Sequence, residues 1–145
     1  MSTFDYFSSV LTCTSCGQAC DSISSNMQTK IRLRPSLSEL SVGDHLEVDW
    51  QDICSAGYLK VSEPSAVNTI SLLETWECPN CGKIFNWALV EINNGNIQSI
   101  REIELSLENL GKANYISEEC RYTLNTPVDY DSTVEELISS LRRVN

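Results

Sequence analysis

Two cysteine pairs carry the chemistry that this sequence could perform. Cys13-Thr14-Ser15-Cys16-Gly17 and Cys78-Pro79-Asn80-Cys81-Gly82 each place two thiols two residues apart with glycine behind them. That spacing fits a tight turn whose backbone amides face the sulfurs, and the glycine supplies the positive φ such a knuckle needs. Two pairs together complete the ligand count of one structural zinc ion, with Cys13, Cys16, Cys78 and Cys81 as its four thiolates. Soft sulfur donors match the tetrahedron zinc prefers, and a site closed by four of them leaves no position for a substrate.

The sequence has seven cysteines, so three fall outside this set. Cys54 and Cys120 read as small buried apolar residues. Cys20 lies close enough to the first knuckle to serve as an alternative ligand. The odd count, together with an N-terminus that lacks a charged-then-apolar signal pattern and any run long enough for a membrane span, points to a reducing cytosol.

The same residues suggest two other chemistries. His45-Leu46-Glu47 precedes Cys78 and Cys81 in the order that zinc deaminases use, where one His or Cys joins a Cys pair and the nearby Glu shuttles protons. Against it, Glu77 stands where Pro would precede the first Cys of the pair, His45 falls in a strand-like alternation, and Cys13 and Cys16 would have no role. A thiol-disulfide centre at Cys78 and Cys81 would need a helix after the motif, and a hydrophobic strand pattern follows instead. With one histidine and scattered carboxylates, no catalytic triad or carboxylate pair emerges, and the chain reads as non-enzymatic.

The elements that must hold the knuckles read mostly as strands. Residues 6–12 are β-rich and lead into the first knuckle, and the Ser-rich residues 21–26 look like a hairpin return. Lys30, Arg32 and Arg34 alternate with Ile31 and Leu33, giving a half-exposed strand that Pro35 ends. Residues 35–41 read as a connection, and Val42-Gly43-Asp44 as a turn into an alternating stretch with Leu46, Val48 and Trp50 inward. After irregular residues 51–56, a strand is expected at 58–61, and Ile70, Leu72 and Trp76 lead into the second knuckle.

Residues 84–92 are apolar on both faces, the mark of a central strand. Asn93-Asn94-Gly95-Asn96 is a hairpin turn. The return strand, 97 to about 107, is expected to bury Ile97, Ile103, Leu105 and Leu107 on one face and to leave Gln98, Glu102 and Glu104 wet. Residues 110–125 are ambiguous, broken at Gly111, with one helical turn expected at 117–120. A C-terminal helix over about 132–143 has Ser132 as its cap, Glu135 reaching back, and Val134, Leu137, Ile138 and Leu141 as an apolar stripe.

These elements fit one domain of 145 residues in the mostly β (α+β) class: a zinc-ribbon-type core over about 6–107, a segment inserted between the knuckles, and the helix. The ordered set Phe4-Asp5, Cys13-Thr14-Ser15-Cys16-Gly17, Gln28-Thr29-Lys30, Gly43-Asp44 and Cys78-Pro79-Asn80-Cys81-Gly82 resembles a loose group of small, uncharacterised bacterial and phage zinc-ribbon proteins with two such knuckles. The likeness spans roughly residues 1–105, with Thr3 where the group has Met. It implies a metal-bound β domain and attaches no activity to it.

Charge completes the expectation. Twenty Asp and Glu against ten Lys and Arg give a formal charge of -10, and four thiolates around a divalent ion would add about two more negative charges. Such a field repels nucleic acid and anionic membranes and favours a basic protein partner, as in small inhibitors or immunity proteins that neutralise a toxin-like protein by electrostatic steering. Lys30, Arg32 and Arg34 form the positive stripe through which a zinc-ribbon adaptor could instead touch nucleic acid; as charges on an edge strand they need no such role.

Overall fold

The computed structural model of the chain describes residues 5–20, 27–29, 39–46, 58–64, 69–83, 86–117, 119, 135–139 and 142. The fold is mostly β. Its ten described strands are β1 (Asp5–Ser8), β2 (Leu11–Thr12), β3 (Ala19–Cys20), β4 (Gln28–Thr29), β5 (Glu39–Ser41), β6 (Tyr58–Lys60), β7 (Ile70–Trp76), β8 (Asn86–Asn93), β9 (Asn96–Ile103) and β10 (Tyr115–Ser117). One short helix, α1 (Leu107–Leu110), follows β9, and residues 135–139 are helical near the C-terminus.

The centre is a five-stranded sheet ordered β6-β10-β7-β8-β9. The long β7 and β8 pair antiparallel over their whole length, and their runs of buried residues follow from being covered on both faces. The register lines up two rows across the sheet. Tyr115, Leu72, Val90 and Ile100 make one row, and Leu59, Ile116, Leu73 and Leu89 make the next, pointing to the opposite face.

The first face packs with Phe7, Leu11, Met27, Leu40 and the buried cysteines. The second packs with Leu110, Ala113, Leu137 and, at its margin, Ile138. The C-terminal helix therefore lies against its own sheet. The first face is covered by a three-stranded sheet ordered β4-β1-β5, in which β5 runs parallel to β1, and by the separate β2–β3 hairpin.

Several expected elements take a different form. The run 6–12 is split: β1 ends at Ser8 in the three-stranded sheet, and β2 starts at Leu11 in the hairpin. Glu39–Ser41, expected within a connection, is a strand. The ambiguous stretch after Gly111 contains β10, inserted between β6 and β7, so Ser117 is a strand residue and not the start of a helical turn.

The return strand also departs from simple alternation. Its register slips opposite Glu91 and Ile92, which leaves Gln98 as the extra residue of a bulge and turns Ile97 and Ile100 to the same face. Ile103 packs on the second face, so the expected grouping of Ile97 with Ile103 on one face is replaced by their separation onto two, while Gln98, Glu102 and Glu104 are exposed as expected. The strand stops at Ile103, and Ser106 caps α1 by accepting a hydrogen bond from the Asn109 amide at 3.1 Å.

The turns form as expected. Asn94 (φ 53°) and Gly95 (φ 81°) make the tight reversal between β8 and β9. At residues 42–44 the Asp44 amide donates to the Ser41 carbonyl (2.9 Å) and the Asp44 carboxylate accepts from the Ser41 amide (2.7 Å). The expectations for residues 21–26, 30–34, 47–56 and 132–134 fall outside the described residues.

Candidate metal centre

Each cysteine pair sits at the tip of a hairpin. Leu11 and Thr12 pair with Cys20 and Ala19 behind the first, and Trp76 pairs with Asn86 behind the second. The two turns are built alike. The Cys13 amide donates to the Gln18 carbonyl at 3.0 Å, and the Cys78 amide to the Lys83 carbonyl at 2.9 Å. The Gly17 amide donates to the Cys13 carbonyl and the Gly82 amide to the Cys78 carbonyl, both at 2.9 Å. Gly17 (φ 73°) and Gly82 (φ 74°) hold the left-handed conformation that lets each chain turn back after its second cysteine.

The hairpins bring the two tips together across more than sixty residues of sequence. The sulfurs of Cys13, Cys16, Cys78 and Cys81 all lie within 4.8 Å of one another, close enough to hold one metal ion. Cys13 Sγ is 3.7 Å from Cys81 Sγ, and Cys16 Sγ is 3.6 Å from Cys78 Sγ. With Zn–S bonds of about 2.3 Å, the edge of a tetrahedral four-sulfur site is roughly 3.8 Å. The thiol positions therefore fit that tetrahedron with little adjustment, and none of these cysteines is in a disulfide. The Lys83 ammonium donates to Thr14 Oγ1 at 3.3 Å, a second link between the knuckles.

The electrostatics divide the thiols by their place in the turn. The Cys16 amide, followed by that of Ser15 (3.4 Å from Cys13 Sγ), favours the Cys13 thiolate and lowers its pKa against the effect of burial. In the second knuckle the amides of Cys81 and Asn80 bring Cys78 down to about 6. For Cys16 the Gln18 amide is the largest influence and favours the thiolate, but burial and the thiols of Cys78, Cys13 and Cys81 together push it up to about 12. Cys81 is likewise raised, the Lys83 amide being outweighed by burial and its sulfur neighbours. A cluster of thiols cannot ionise fully by itself; a divalent ion at its centre supplies the missing positive charge.

Burial grades the site from inside to outside. Cys13 and Cys78 are in the core, Cys16 is half-buried, and Cys81 is exposed. The apolar wall is Trp76, whose indole N–H donates to the Trp87 carbonyl at 3.3 Å. Cys20, on β3, is buried with its sulfur 3.6 Å from that of Cys78.

His45 is not part of the group. Its bridge partner is Asn96, whose side-chain oxygen lies 2.9 Å from His45 Nδ1 at the β8–β9 turn. The second knuckle runs between two strands, β7 and β8, where a thiol-disulfide motif would open a helix. Glu47, Cys54, Cys120 and the Lys30, Arg32 and Arg34 stripe lie outside the described residues.

One feature of the interior had no signal in the sequence beyond a glutamate in an apolar run. Glu74, on β7, is fully buried between the two sheets and accepts a hydrogen bond from the Tyr58 hydroxyl, which also contacts Thr29 Oγ1. Burial pushes its carboxyl up to about 8, against the stabilising bonds from Tyr58 and Thr29 and with the charge of Glu119 adding to the rise.

No family model, curated protein or solved structure matches the chain. No helix among the described residues is long and apolar enough to cross a membrane.

Proposed function

We propose that the protein is a zinc-stabilised, non-enzymatic binding protein whose acidic surface engages a basic protein partner. The observation that carries this is the four-sulfur cluster. Cys13, Cys16, Cys78 and Cys81 would fill all four positions of a zinc tetrahedron, so the ion would clamp two hairpins and have no site left for a substrate. Its role is then architectural, and recognition falls to the surface that the clamp holds in place.

Charge chooses the partner. The formal charge of -10 becomes more negative with a four-thiolate zinc site, and exposed Glu102, Glu104 and Glu108 follow one another along the end of β9 and α1. Such a surface accelerates encounter with a cationic protein and slows encounter with nucleic acid. An inhibitor or immunity-type protein that neutralises a basic, toxin-like partner has these properties.

The test is a pull-down followed by titration of the captured protein at rising salt. A basic partner whose affinity falls steeply with salt supports the proposal. Failure to find any salt-sensitive protein partner refutes it. Salt-dependent binding to nucleic acid, lost on replacing Lys30, Arg32 and Arg34 with alanine, would put the zinc-ribbon adaptor in its place.

A further inference from the structure

A fifth thiol, that of Cys20, lies beside the four-sulfur group without belonging to the set whose sulfurs are all within 4.8 Å of one another. Cys20 Sγ is 3.6 Å from Cys78 Sγ, the same separation as between Cys16 and Cys78 and close to a tetrahedral edge. It is fixed there by the β2–β3 pairing, in which Cys20 stands opposite Leu11 directly behind the first knuckle. Among the described residues its other polar contact is a long one, from the thiol to the Gln18 carbonyl at 3.5 Å. A buried thiol at the distance of a tetrahedral edge from a ligand sulfur is placed as a donor in waiting.

Burial indicates which ligand it would replace. Cys20 is 2% exposed, whereas Cys81 is the exposed member of the four. An outside thiol or an alkylating reagent therefore meets Cys81 before any other ligand. We propose that Cys20 is a reserve ligand: the ion is held by Cys13, Cys16 and Cys78, with either Cys81 or Cys20 in the fourth place. This rests on the metal centre described above and extends it.

The exchange balances. The Zn–S bond to Cys81 breaks and one to Cys20 forms; the thiol proton leaves Cys20, and Cys81 takes up a proton as its thiolate is released. Four thiolates remain on the ion, and neither the metal nor the sulfur changes oxidation state. The consequence is a site that would keep its ion, and its two hairpins clamped, when its outer ligand is taken.

Cobalt reconstitution of the full chain tests the idea, because sulfur-to-cobalt charge-transfer absorption counts thiolates. Wild type, C20S and C81S should each show a four-thiolate spectrum, and the C20S/C81S double variant should lose about a quarter of the charge-transfer intensity, one sulfur in four. A three-thiolate spectrum in C81S, matching the double variant while wild type shows four, overturns the reserve ligand and leaves the metal centre standing. Absence of any thiolate-cobalt spectrum in wild type overturns both.

A second measurement avoids substitution altogether. Wild-type zinc protein treated with limiting iodoacetamide is read by native top-down mass spectrometry, which reports modification and bound metal on the same molecules. Chains alkylated at Cys81 should retain one zinc ion. Loss of zinc from all such chains refutes the proposal.

Discussion

Replacing Glu74 with glutamine should change how stability depends on pH, in a direction the structure fixes. The carboxyl group is fully buried, and its folded-state pKa is raised from 4.5 to about 8. In the unfolded chain it ionises near 4.5, so between 4.5 and about 8 the folded protein binds a proton that the unfolded chain has released. Stability from this group is complete below 4.5, falls as pH rises through that window, and levels off above about 8. At about 1.4 kcal/mol per unit, the full shift corresponds to a ceiling of ~5 kcal/mol, and relaxation with water entry reduces the observable part to roughly 2–3 kcal/mol.

Glutamine keeps an acceptor for the Tyr58 hydroxyl and removes the ionisation. The stability difference between E74Q and wild type, measured by urea denaturation across this range, should therefore shift in favour of the variant by about 2–3 kcal/mol as pH rises from the low end to the high end. The cysteine site titrates in both proteins and cancels from the difference. A difference that stays constant across the range would refute the reasoning.

Two glycine substitutions separate backbone strain from crowding. At Gly82 an added Cβ meets nothing within 4 Å, so G82A should cost only the left-handed conformation at φ 74°, about 1–2 kcal/mol. At Gly95 the same atom would come 2.8 Å from His45 Cε1 and 2.9 Å from the Leu46 carbonyl, so G95A should cost more, roughly 2–4 kcal/mol; denaturation of the two variants side by side checks the order. Leu137 is 1% exposed in the second core, so L137A should lower stability by about 2–5 kcal/mol, and an effect under about 0.5 kcal/mol would mean that the C-terminal helix does not pack on the sheet.

The parts of this fold that were legible in the sequence are those where local chemistry and geometry coincide. The two knuckles needed only spacing and a trailing glycine, and the turn at Asn94 and Gly95 needed only residues that tolerate positive φ. The β8 strand was readable because burial on both faces leaves adjacent apolar residues, Trp87 to Val90, with no polar alternation. Of the three-residue strands, β6 was readable and β5 and β10 were not. β5 contributes only Leu40 to the core, and β10 is buried throughout because neighbours from distant segments flank it, so neither shows a period. The bulge at Gln98 was invisible for a related reason: a slipped register depends on the partner strand. Cys20 could be flagged by its closeness to the first knuckle, but its distance to Cys78 required the fold.

Zinc K-edge X-ray absorption on the purified protein tests the central claim most directly. If Cys13, Cys16, Cys78 and Cys81 hold a structural ion, the spectrum will show one zinc per chain with four sulfurs at about 2.3 Å and no imidazole scattering. A shell containing nitrogen or oxygen donors would contradict the closed site, and protein purified without metal under reducing conditions would contradict the clamp itself.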